Sequence, residues 1–475
     1  MTATVSAQTP ERSADAFTPI EVRNPANNEL IDRVPNASVA DCLGAVDLAA
    51  ASLPEWSATA PRVRAELLRK SFEALTERRE ELAELIVREN GKAFAEALAE
   101  ADYAAEFFRW FAEEAVRVTG DYRLSPAGDK QIVVTDEPVG VVLLVTPWNF
   151  PAAMAARKLA PALAAGCTAV VKPAAETPLS TYFIVDVMRA CGLPEEVVKV
   201  VLPDPPGEAV SAMLRHRAIR KLSFTGSTEV GRILMREASE NIVGAALELG
   251  GNAPLIVLEG ADLEEALAGA FAAKMRNGGS ACTAANRLYV HRSLAREFAE
   301  RFAAMMEHVQ TGPGSDRANE LGALVSLKER DKVAALVGTA ISEGARLLTG
   351  GSSIEPGAFY QPTVLTGVEH GSSITRTEIF GPVAAIIEFD TLDEVVAMAN
   401  DTDHGLVAYV FGELASVLRV AKRLETGMVA VNRGTIGDPA APFGGVKHSG
   451  LGREGGFEGI REFLEPKFLA MPAFS

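Results

Sequence analysis

Cysteine, histidine and clustered positive charge are all scarce in this chain of 475 residues, and each scarcity argues against a class of protein. Its 4 cysteines are irregularly spaced without a Cys-x-x-Cys pair, so the sequence carries neither a disulfide framework nor a structural zinc site. We therefore expect no metal and a reducing, cytoplasmic compartment. The net charge is −17 and no run of lysine or arginine occurs, which argues against a nucleic-acid partner.

Long apolar runs are also rare, and one uncharged stretch, Pro138 to Ala156, is long enough to span a bilayer. Pro147, Asn149 and Pro151 lie in its middle, where they would break a membrane helix and place an amide in lipid. We therefore predict a buried strand that turns sharply into a helix, and no membrane partner. Met1 to Phe17 lacks an apolar core, so it is expected to be a frayed tail rather than a secretory signal.

The apolar pattern changes along the chain from helical spacing to alternating strands and helices. Helical spacing runs from Ser38 to Val116, and one helix is predicted over Pro61 to Asn90, ended by Gly91. After it the pattern predicts strands at 139–145, 168–172, 197–202, 219–224 and 243–248, separated by helices at 152–165, 178–190 and 227–239. That alternation indicates an α/β fold with a parallel sheet, whose ligands bind beyond the carboxyl ends of the strands.

A second series of strands and helices begins at Ala253 and continues to about Val431, as expected for a chain too long for one core. The ends of the first series, at Thr146-Pro147-Trp148-Asn149, Lys172-Pro173 and Phe224-Thr225-Gly226-Ser227, form a candidate cofactor crevice. Segments 121–138 and 460–475 are β-prone and lie outside both series. They are either ordinary edge strands or an arm that pairs with a second subunit.

Cys282 is the candidate nucleophile because it lies among glycines and small polar residues, in Gly278-Gly279-Ser280-Ala281-Cys282-Thr283. Cys42, Cys167 and Cys191 have the apolar or helical surroundings of ordinary core cysteines. A nucleophile needs a base and a donor for developing charge, for which Glu248 and Asn149 are candidates. Each of these two residues could equally have a structural role.

Two glycine-containing segments could bind phosphate. Phe224 to Gly231 passes from a predicted strand into a helix, so its free N–H groups suit a pyrophosphate, although a plain helix cap is an alternative. Gly450-Leu451-Gly452-Arg453-Glu454-Gly455 matches the Gly-x-Gly-x-x-Gly fingerprint, but the polar Lys447-His448-Ser449 precedes it and only 20 residues follow it. We interpret this second match as a turn or loop.

Seven segments together resemble the aldehyde dehydrogenase superfamily, in order and in spacing, from about Asn24 to Phe468. They are Thr146-Pro147-Trp148-Asn149-Phe150-Pro151, Lys172-Pro173, Phe224-Thr225-Gly226-Ser227, Glu248-Leu249-Gly250-Gly251, the Cys282 segment, Glu378-Ile379-Phe380-Gly381-Pro382 and Pro442-Phe443-Gly444-Gly445. The resemblance implies an α/β fold with a Rossmann-like cofactor domain, an α/β catalytic domain and a small β oligomerisation arm. The implied boundaries are 1–120 and 139–247 for the cofactor domain, 248–437 for the catalytic domain, 438–459 for a return segment, and 121–138 with 460–475 for the arm.

The same resemblance implies the chemistry. Cys282 would attack an aldehyde to give a thiohemiacetal and then a thioester, Asn149 and the Cys282 N–H would hold the alkoxide, and Glu248 would activate water. The site would have to favour the thiolate through N–H donors and the nearby cofactor. Lys158 and Glu454 match positions sometimes assigned to a proton relay. The implied contacts to NAD or NADP are Trp148, Lys172, Ala175, Gly226, Ser227, Gly250, Glu378 and Phe380.

One departure from the family bears on the cofactor. Members that prefer NAD often carry a glutamate three residues after the lysine, where this chain has Ala175, with Glu176 one step later. We therefore predict that NADP is accepted, and even preferred, unless Glu176 takes the vacant place.

Arg157 and Arg276 match positions where succinate-semialdehyde dehydrogenases hold the distal carboxylate of the substrate, with Phe150 and Phe443 as further substrate contacts. Gly437 stands where some of these enzymes have a serine. The leading hypothesis is a homodimeric or homotetrameric enzyme that oxidises succinate semialdehyde to succinate with NAD or NADP. The alternatives are an enzyme of broad specificity for small aliphatic or aromatic aldehydes, a cofactor-free thiol esterase and a non-catalytic relative.

Overall fold

Two large sheets, one of six strands and one of seven, carry the fold. The structure is a computed structural model that describes residues 18–473, so the expected tail Met1 to Phe17 lies outside the described residues. The helices are α1 (Val39–Ala58), α2 (Pro61–Glu77), α3 (Arg79–Asn90), α4 (Phe94–Glu114), α5 (Pro151–Ala165), α6 (Leu179–Ala190), α7 (Gly207–Leu214), α8 (Thr228–Glu240), α9 (Leu263–Met275), α10 (Arg292–Glu307), α11 (Leu327–Ser342), α12 (Ser373–Arg376), α13 (Leu392–Asn400), α14 (Leu414–Ala421) and α15 (Gly456–Arg461), with a 3₁₀ turn at Arg276–Gly279.

The strands alternate with these helices from residue 141 onward, as the sequence pattern predicts. They are β1 (Ile20–Arg23), β2 (Leu30–Val34), β3 (Asp121–Leu124), β4 (Lys130–Pro138), β5 (Val141–Val145), β6 (Thr168–Lys172), β7 (Val198–Val200), β8 (Ile219–Thr225), β9 (Gly244–Glu248), β10 (Ala253–Val257), β11 (Ala285–His291), β12 (Arg346–Thr349), β13 (Ser353–Ile354), β14 (Phe359–Tyr360), β15 (Thr363–Thr366), β16 (Val383–Phe389), β17 (His404–Gly405), β18 (Val407–Phe411), β19 (Met428–Val431), β20 (Val446–Lys447), β21 (Gly450–Leu451) and β22 (Leu464–Pro472).

The first sheet has the order β21-β9-β8-β5-β6-β7, and all its strands except β21 are parallel. The chain leaves β5 towards β6 on one side and returns to β8 on the other, so a topological switch point lies between β5 and β8. Helix α5 packs beside this point with all 15 of its residues buried, which its alanine-rich sequence allows. Ligands of such sheets bind at the switch point.

The second sheet has the order β12-β15-β16-β11-β10-β18-β19, and only β12 runs antiparallel to its neighbour. Strands β10, β16 and β18 are apolar and buried almost throughout, because helices cover both faces. The α/β fold class that the sequence predicts is confirmed.

A third, antiparallel sheet joins β22, β4 and β3. Its strands come from the two segments that the sequence sets apart, 121–138 and 460–475, and most of their side chains are exposed or half-buried. The domain boundaries and the arm's partner stay predictions.

Three local features differ from the sequence prediction or were missed by it. The single helix predicted over Pro61 to Asn90 is wrong, because the chain bends at Arg78 and forms α2 and α3, which both pack against α4. The hairpin of β1 and β2 was not predicted. Gly450 to Gly455 contains the short strand β21, which pairs with β9, so the fingerprint is indeed no βαβ unit. Within residues 18–473, no helix is long and apolar enough to cross a membrane.

Candidate active site

The chain passes from the first sheet to the second through Glu248-Leu249-Gly250-Gly251-Asn252, and the candidate site lies at this passage. Glu248 is the last residue of β9, and Cys282 lies in the turn between Arg276–Gly279 and β11. A Cβ on Gly251 would come within 2.2 Å of the main-chain oxygen of Cys282. Glycine at this position therefore lets the two segments lie in direct contact.

One cleft collects most of the residues that the sequence singled out. It is lined by Trp148, Asn149, Phe150, Arg157, Gly226, Ser227, Glu248, Gly250, Arg276, Cys282, Glu378, Phe380 and Phe443. Thirteen predicted side chains or glycines thus meet in one place, although they come from both sheets. Lys172 and Ala175 do not line this cleft. Lys172 is the last residue of β6, paired with Val145 at the end of β5, and Ala175 lies in the loop that follows.

Glu248 is a buried carboxylate without a fixed partner. Neither of its side-chain oxygens has a hydrogen-bond partner among residues 18–473. Burial raises the pKa of Glu248 to about 7, while the positive charge of Arg157 acts in the opposite direction. An unpartnered carboxylate with a pKa near neutrality is suited to take a proton from water.

Cys282 is half-buried and has no disulfide partner. Burial raises the pKa of its thiol well above the ordinary value, and the negative charge of Glu248 raises it further, although Arg157 opposes this. In the site as described, burial and the Glu248 carboxylate thus both disfavour the thiolate. That N–H donors and the nearby cofactor favour the anion stays a prediction.

Asn149 is buried beside Cys282 at the start of the turn into α5. Its side-chain Nδ2 donates to the main-chain oxygen of Ser280 at 3.1 Å. Because an amide nitrogen carries two hydrogens, one donor remains for a group in the cleft. The sequence identified this residue from a polar amide in an apolar run, and the structure places it in the cleft with Cys282.

The two predicted substrate arginines differ in their surroundings. Arg157 is buried, and its Nε lies 2.5 Å from Glu454, with the guanidinium 4.3 Å from the ring centre of Phe443. Arg276 forms no ion pair within residues 18–473 and lies over two aromatic rings, those of Phe150 at 5.3 Å and Tyr103 at 5.6 Å. The charge of Arg157 is therefore compensated by the protein, and that of Arg276 is not.

Another part of the cleft is shaped by Glu378, Phe380 and Trp148. Glu378 accepts a hydrogen bond from the Gly251 N–H at 3.0 Å, and burial raises its pKa to about 7. The rings of Phe380 and Trp148 contact edge to face at 5.3 Å. Phe380 has a φ of 55°, a strained conformation that a bulky residue rarely adopts.

Lys158 and Glu454, the two residues linked to a proton relay, form a buried ion pair behind the cleft. Lys158 also donates to the hydroxyl of Ser223 at 3.0 Å. Glu454 thus contacts both Lys158 and Arg157, and these two charges keep its pKa low although burial raises it.

Sequence reasoning missed three lining residues, Tyr103 on α4, Met154 on α5 and Lys332 on α11. A Cβ on Gly437 would come within 3.1 Å of the Tyr103 hydroxyl and 3.4 Å of Arg276. Tyr103 lies one helical turn from buried residues of α4, so the sequence pattern predicts that it belongs to the core and gives no sign that it lines the cleft. No local signal distinguishes Lys332 from a surface lysine.

Comparison with known families agrees with this geometry. Residues 12–469 match the model of the aldehyde dehydrogenase family. The chain belongs to this family. The resemblance found in the sequence is confirmed, and the oxidoreductase activity that it implies is that of an NAD(P)-dependent aldehyde dehydrogenase.

Three relatives illustrate the similarity. The chain is 48% identical to a succinate-semialdehyde dehydrogenase of Paenarthrobacter nicotinovorans, over 92% of this chain and 97% of that protein. It is 44% identical to a glutarate-semialdehyde dehydrogenase of Pseudomonas putida, over 96% and 95% of the two chains. An NADP-dependent enzyme of Escherichia coli has a similar crystal structure, with a TM-score of 0.94, 43% identity, and coverage of 96% of this chain and 95% of that one.

Proposed function

We propose that this aldehyde dehydrogenase oxidises a short aldehyde with a distal carboxylate, most readily succinate semialdehyde, to the diacid. The observation that carries the proposal is Arg276, a cation without an ion-pair partner in the described structure that lines the same cleft as Cys282. A guanidinium suits a carboxylate because it offers two parallel N–H donors. Two relatives with semialdehyde substrates in their names support this choice.

Cys282 is the proposed nucleophile. Its sulfur bonds to the aldehyde carbon while Glu248 or water takes the thiol proton, and the carbonyl oxygen becomes an alkoxide. The free hydrogen of the Asn149 amide and the Cys282 N–H are the proposed donors to that oxygen, and losing one such donor lowers kcat about 100-fold or more. Once the carbon is oxidised, Glu248 takes a proton from water, which attacks the thioester and releases the acid and the Cys282 thiol.

When bound, NAD or NADP would supply the acceptor for the hydride that leaves the carbon of the Cys282 adduct. The cleft fits the dinucleotide, since Thr225 Oγ1 is buried and without a partner among the described residues beside Gly226 and Ser227. The N-terminus of α8 opens there, and Ser227 caps it by accepting from the Val230 N–H at 3.3 Å. A helix N-terminus favours a pyrophosphate.

Further proposed contacts of the dinucleotide are Trp148, Gly250, Glu378 and Phe380. A Cβ on Gly250 would lie 3.0 Å from a Glu378 oxygen, so glycine keeps this part of the cleft open. Glu378 has a carboxylate oxygen that can accept a hydroxyl of a ribose.

We propose that NADP is accepted at least as well as NAD. Ala175, after Lys172, packs beside the cluster of Val22 and Leu202 and offers no carboxylate to repel a 2′-phosphate. Glu176 is exposed and lines another cleft with Asn24 and Lys328, although its charge still reaches Lys172. Burial lowers the pKa of Lys172, but Glu176 and Asp204 oppose that shift.

We propose a homodimer or homotetramer in a reducing cytoplasm. Tyr122, Leu124 and Phe468 are more than half exposed on the sheet of β3, β4 and β22, and an apolar patch of this kind is typical of a subunit interface. None of the 4 cysteines forms a disulfide bond, which supports a reducing compartment such as the cytoplasm.

A rate comparison tests the proposal. With NADP or NAD saturating, we expect kcat/KM for succinate semialdehyde to exceed that for butanal by about tenfold or more, because butanal lacks the carboxylate. A ratio near one would support the broad-specificity alternative. Absence of any reduced-nicotinamide absorbance with every aldehyde tested would revive the esterase and non-catalytic alternatives.

A further inference from the structure

The main chain of the turn that carries Asn149 is hydrogen-bonded to buried polar side chains that have no part in the proposed mechanism. The main-chain oxygen of Asn149 accepts one hydrogen bond from Lys92 Nζ at 2.8 Å and another from Asn277 Nδ2 at 2.8 Å. Lys92 and Asn277 are both buried. One peptide oxygen therefore receives a charged and a neutral donor, which fixes the peptide plane from which the Asn149 side chain projects.

Glu100 holds the other end of the same turn. Its side chain is wholly buried and pairs with Lys92 at 2.6 Å. Its second oxygen accepts the N–H groups of Ala152 at 2.9 Å and Ala153 at 3.2 Å. These groups belong to the first turn of α5, where Phe150 supplies no side-chain cap. Glu100 therefore caps α5 from α4 and links that cap to Lys92.

Asn277 connects the turn to the segment that carries Cys282. The same Nδ2 atom also donates to the main-chain oxygen of Ser280 at 2.9 Å. Asn149 Nδ2 donates to that oxygen as well, at 3.1 Å. The Ser280 oxygen thus sets the direction of one Asn149 hydrogen and so of the other. Asn277 has a φ of 53°, in the left-handed region that asparagine tolerates better than most residues.

We propose that Lys92, Glu100 and Asn277 are positioning residues that aim the free hydrogen of Asn149 at the oxygen of the Cys282 adduct. A buried ion pair is weak evidence for stability, since replacing both of its partners by apolar residues is often neutral. In this pair, the hydrogen bonds beyond the pair itself go to the main-chain oxygen of Asn149 and to the N–H groups of Ala152 and Ala153, in the turn from Asn149 into α5. We therefore expect the Lys92–Glu100 pair to affect kcat, through the step in which Asn149 donates to the alkoxide. The proposal rests on the role proposed for Asn149.

The test is a double-mutant cycle of Lys92→Met and Asn149→Ala, with kcat and KM measured for succinate semialdehyde and NADP. We expect Lys92→Met to lower kcat about tenfold or more with KM within about twofold. In the Asn149→Ala background the same substitution should change kcat by less than about twofold, because the group that it positions is gone. Lys92→Arg keeps a charged donor and should restore most of the rate.

Lys221→Met is the matched control, since Lys221 pairs with Glu462 at the same 2.6 Å but away from Asn149. It should leave kcat unchanged. Equal fold losses for Lys92→Met in both backgrounds, or full activity of Lys92→Met, would overturn the inference alone. Full activity of Asn149→Ala would overturn the role of Asn149 and the inference with it. If Lys92→Met does not fold, Asn277→Ala takes its place in the cycle with the same expectations.

Discussion

Arg157 and Arg276 line one cleft, but they differ in their partners. Arg157 already forms an ion pair within the protein, whereas Arg276 forms none in the part of the chain that the structure describes. Arg157 lies against Glu454, and the negative charge of Glu248 also acts on it. Its guanidinium therefore already has carboxylates of the protein near it. Arg276 lies over the rings of Tyr103 and Phe150 and has no carboxylate partner within residues 18–473. The carboxylate of a bound substrate would therefore be its first ion-pair partner.

Arg276→Ala should therefore impair only the charged substrate. We expect kcat/KM for succinate semialdehyde to fall about 10- to 100-fold, corresponding to about 1.5–3 kcal/mol for a charged hydrogen bond, while that for butanal stays within about threefold. Arg292→Ala, which removes an exposed arginine paired with Asp390, is the control and should change neither value.

Arg157→Ala should behave differently from Arg276→Ala. Its loss would leave Glu454 with one counter-charge fewer, so activity on both aldehydes should fall together. Equal, selective loss of the charged substrate in both variants would contradict this division of labour.

The pKa of Glu248 predicts how activity depends on pH. Below about pH 7 the group is protonated and cannot take a proton from water, and above about pH 7 it is a carboxylate, so kcat should rise as pH increases through this range. The measurement is a kcat profile between about pH 5.5 and 9, with Glu248→Gln as the comparison. A profile of the wild type without an inflection near neutrality, or the same inflection in Glu248→Gln, would contradict the assignment.

At the scale of elements, the sequence predicts the strands that bear the cofactor crevice better than the helices before them. Strand β6 is found at the predicted residues 168–172, and β8 and β9 differ from prediction by one residue at one end. Buried parallel strands are continuous apolar runs between turn residues, so their limits are visible locally. The bend at Arg78 is not visible, because it depends on how α2 and α3 pack against α4.

The candidate site likewise has features that the local sequence predicts and features that depend on the tertiary fold. Family motifs surround Cys282, Glu248 and Asn149, so the sequence singles out three residues that lie in one cleft of the structure, while their roles stay predictions. The pairing of Arg157 with Glu454, and the bonds from Lys92 and Asn277 to Asn149, join residues that are far apart in the chain. Such contacts depend on the tertiary fold, which no local pattern encodes.

The loop after β6 carries the prediction on cofactor choice. Ala175→Glu should lower kcat/KM for NADP about tenfold or more and leave that for NAD unchanged, because a carboxylate repels a 2′-phosphate. Ala175→Gln, which adds a side chain of nearly the same size without the charge, is the control and should not reproduce this loss. For the unaltered enzyme, a preference for NAD by about two powers of ten in kcat/KM would contradict the prediction.

At the scale of the whole molecule, the sheet of β3, β4 and β22 presents apolar side chains to solvent. We expect the chain to run as a dimer or tetramer in size-exclusion chromatography with light scattering. Leu124→Lys combined with Phe468→Lys should shift it towards the monomer, because two charges would have to be buried in the interface. Val63→Lys, at an exposed apolar residue of α2, should not change the mass. A monomeric wild type would contradict the role of the arm.

The central claim is that the substrate forms a thioester with Cys282. Glu248 then takes a proton from the water that hydrolyses this thioester and releases the acid. The most direct measurement is the mass of the Glu248→Gln variant after mixing with succinate semialdehyde and NADP. We predict a mass increase of one succinyl group, located by peptide mapping on Cys282 and absent from Cys282→Ser in the same background. Turnover of substrate without an acyl group on Cys282, or an acyl group on Cys42, Cys167 or Cys191 instead, would contradict the account.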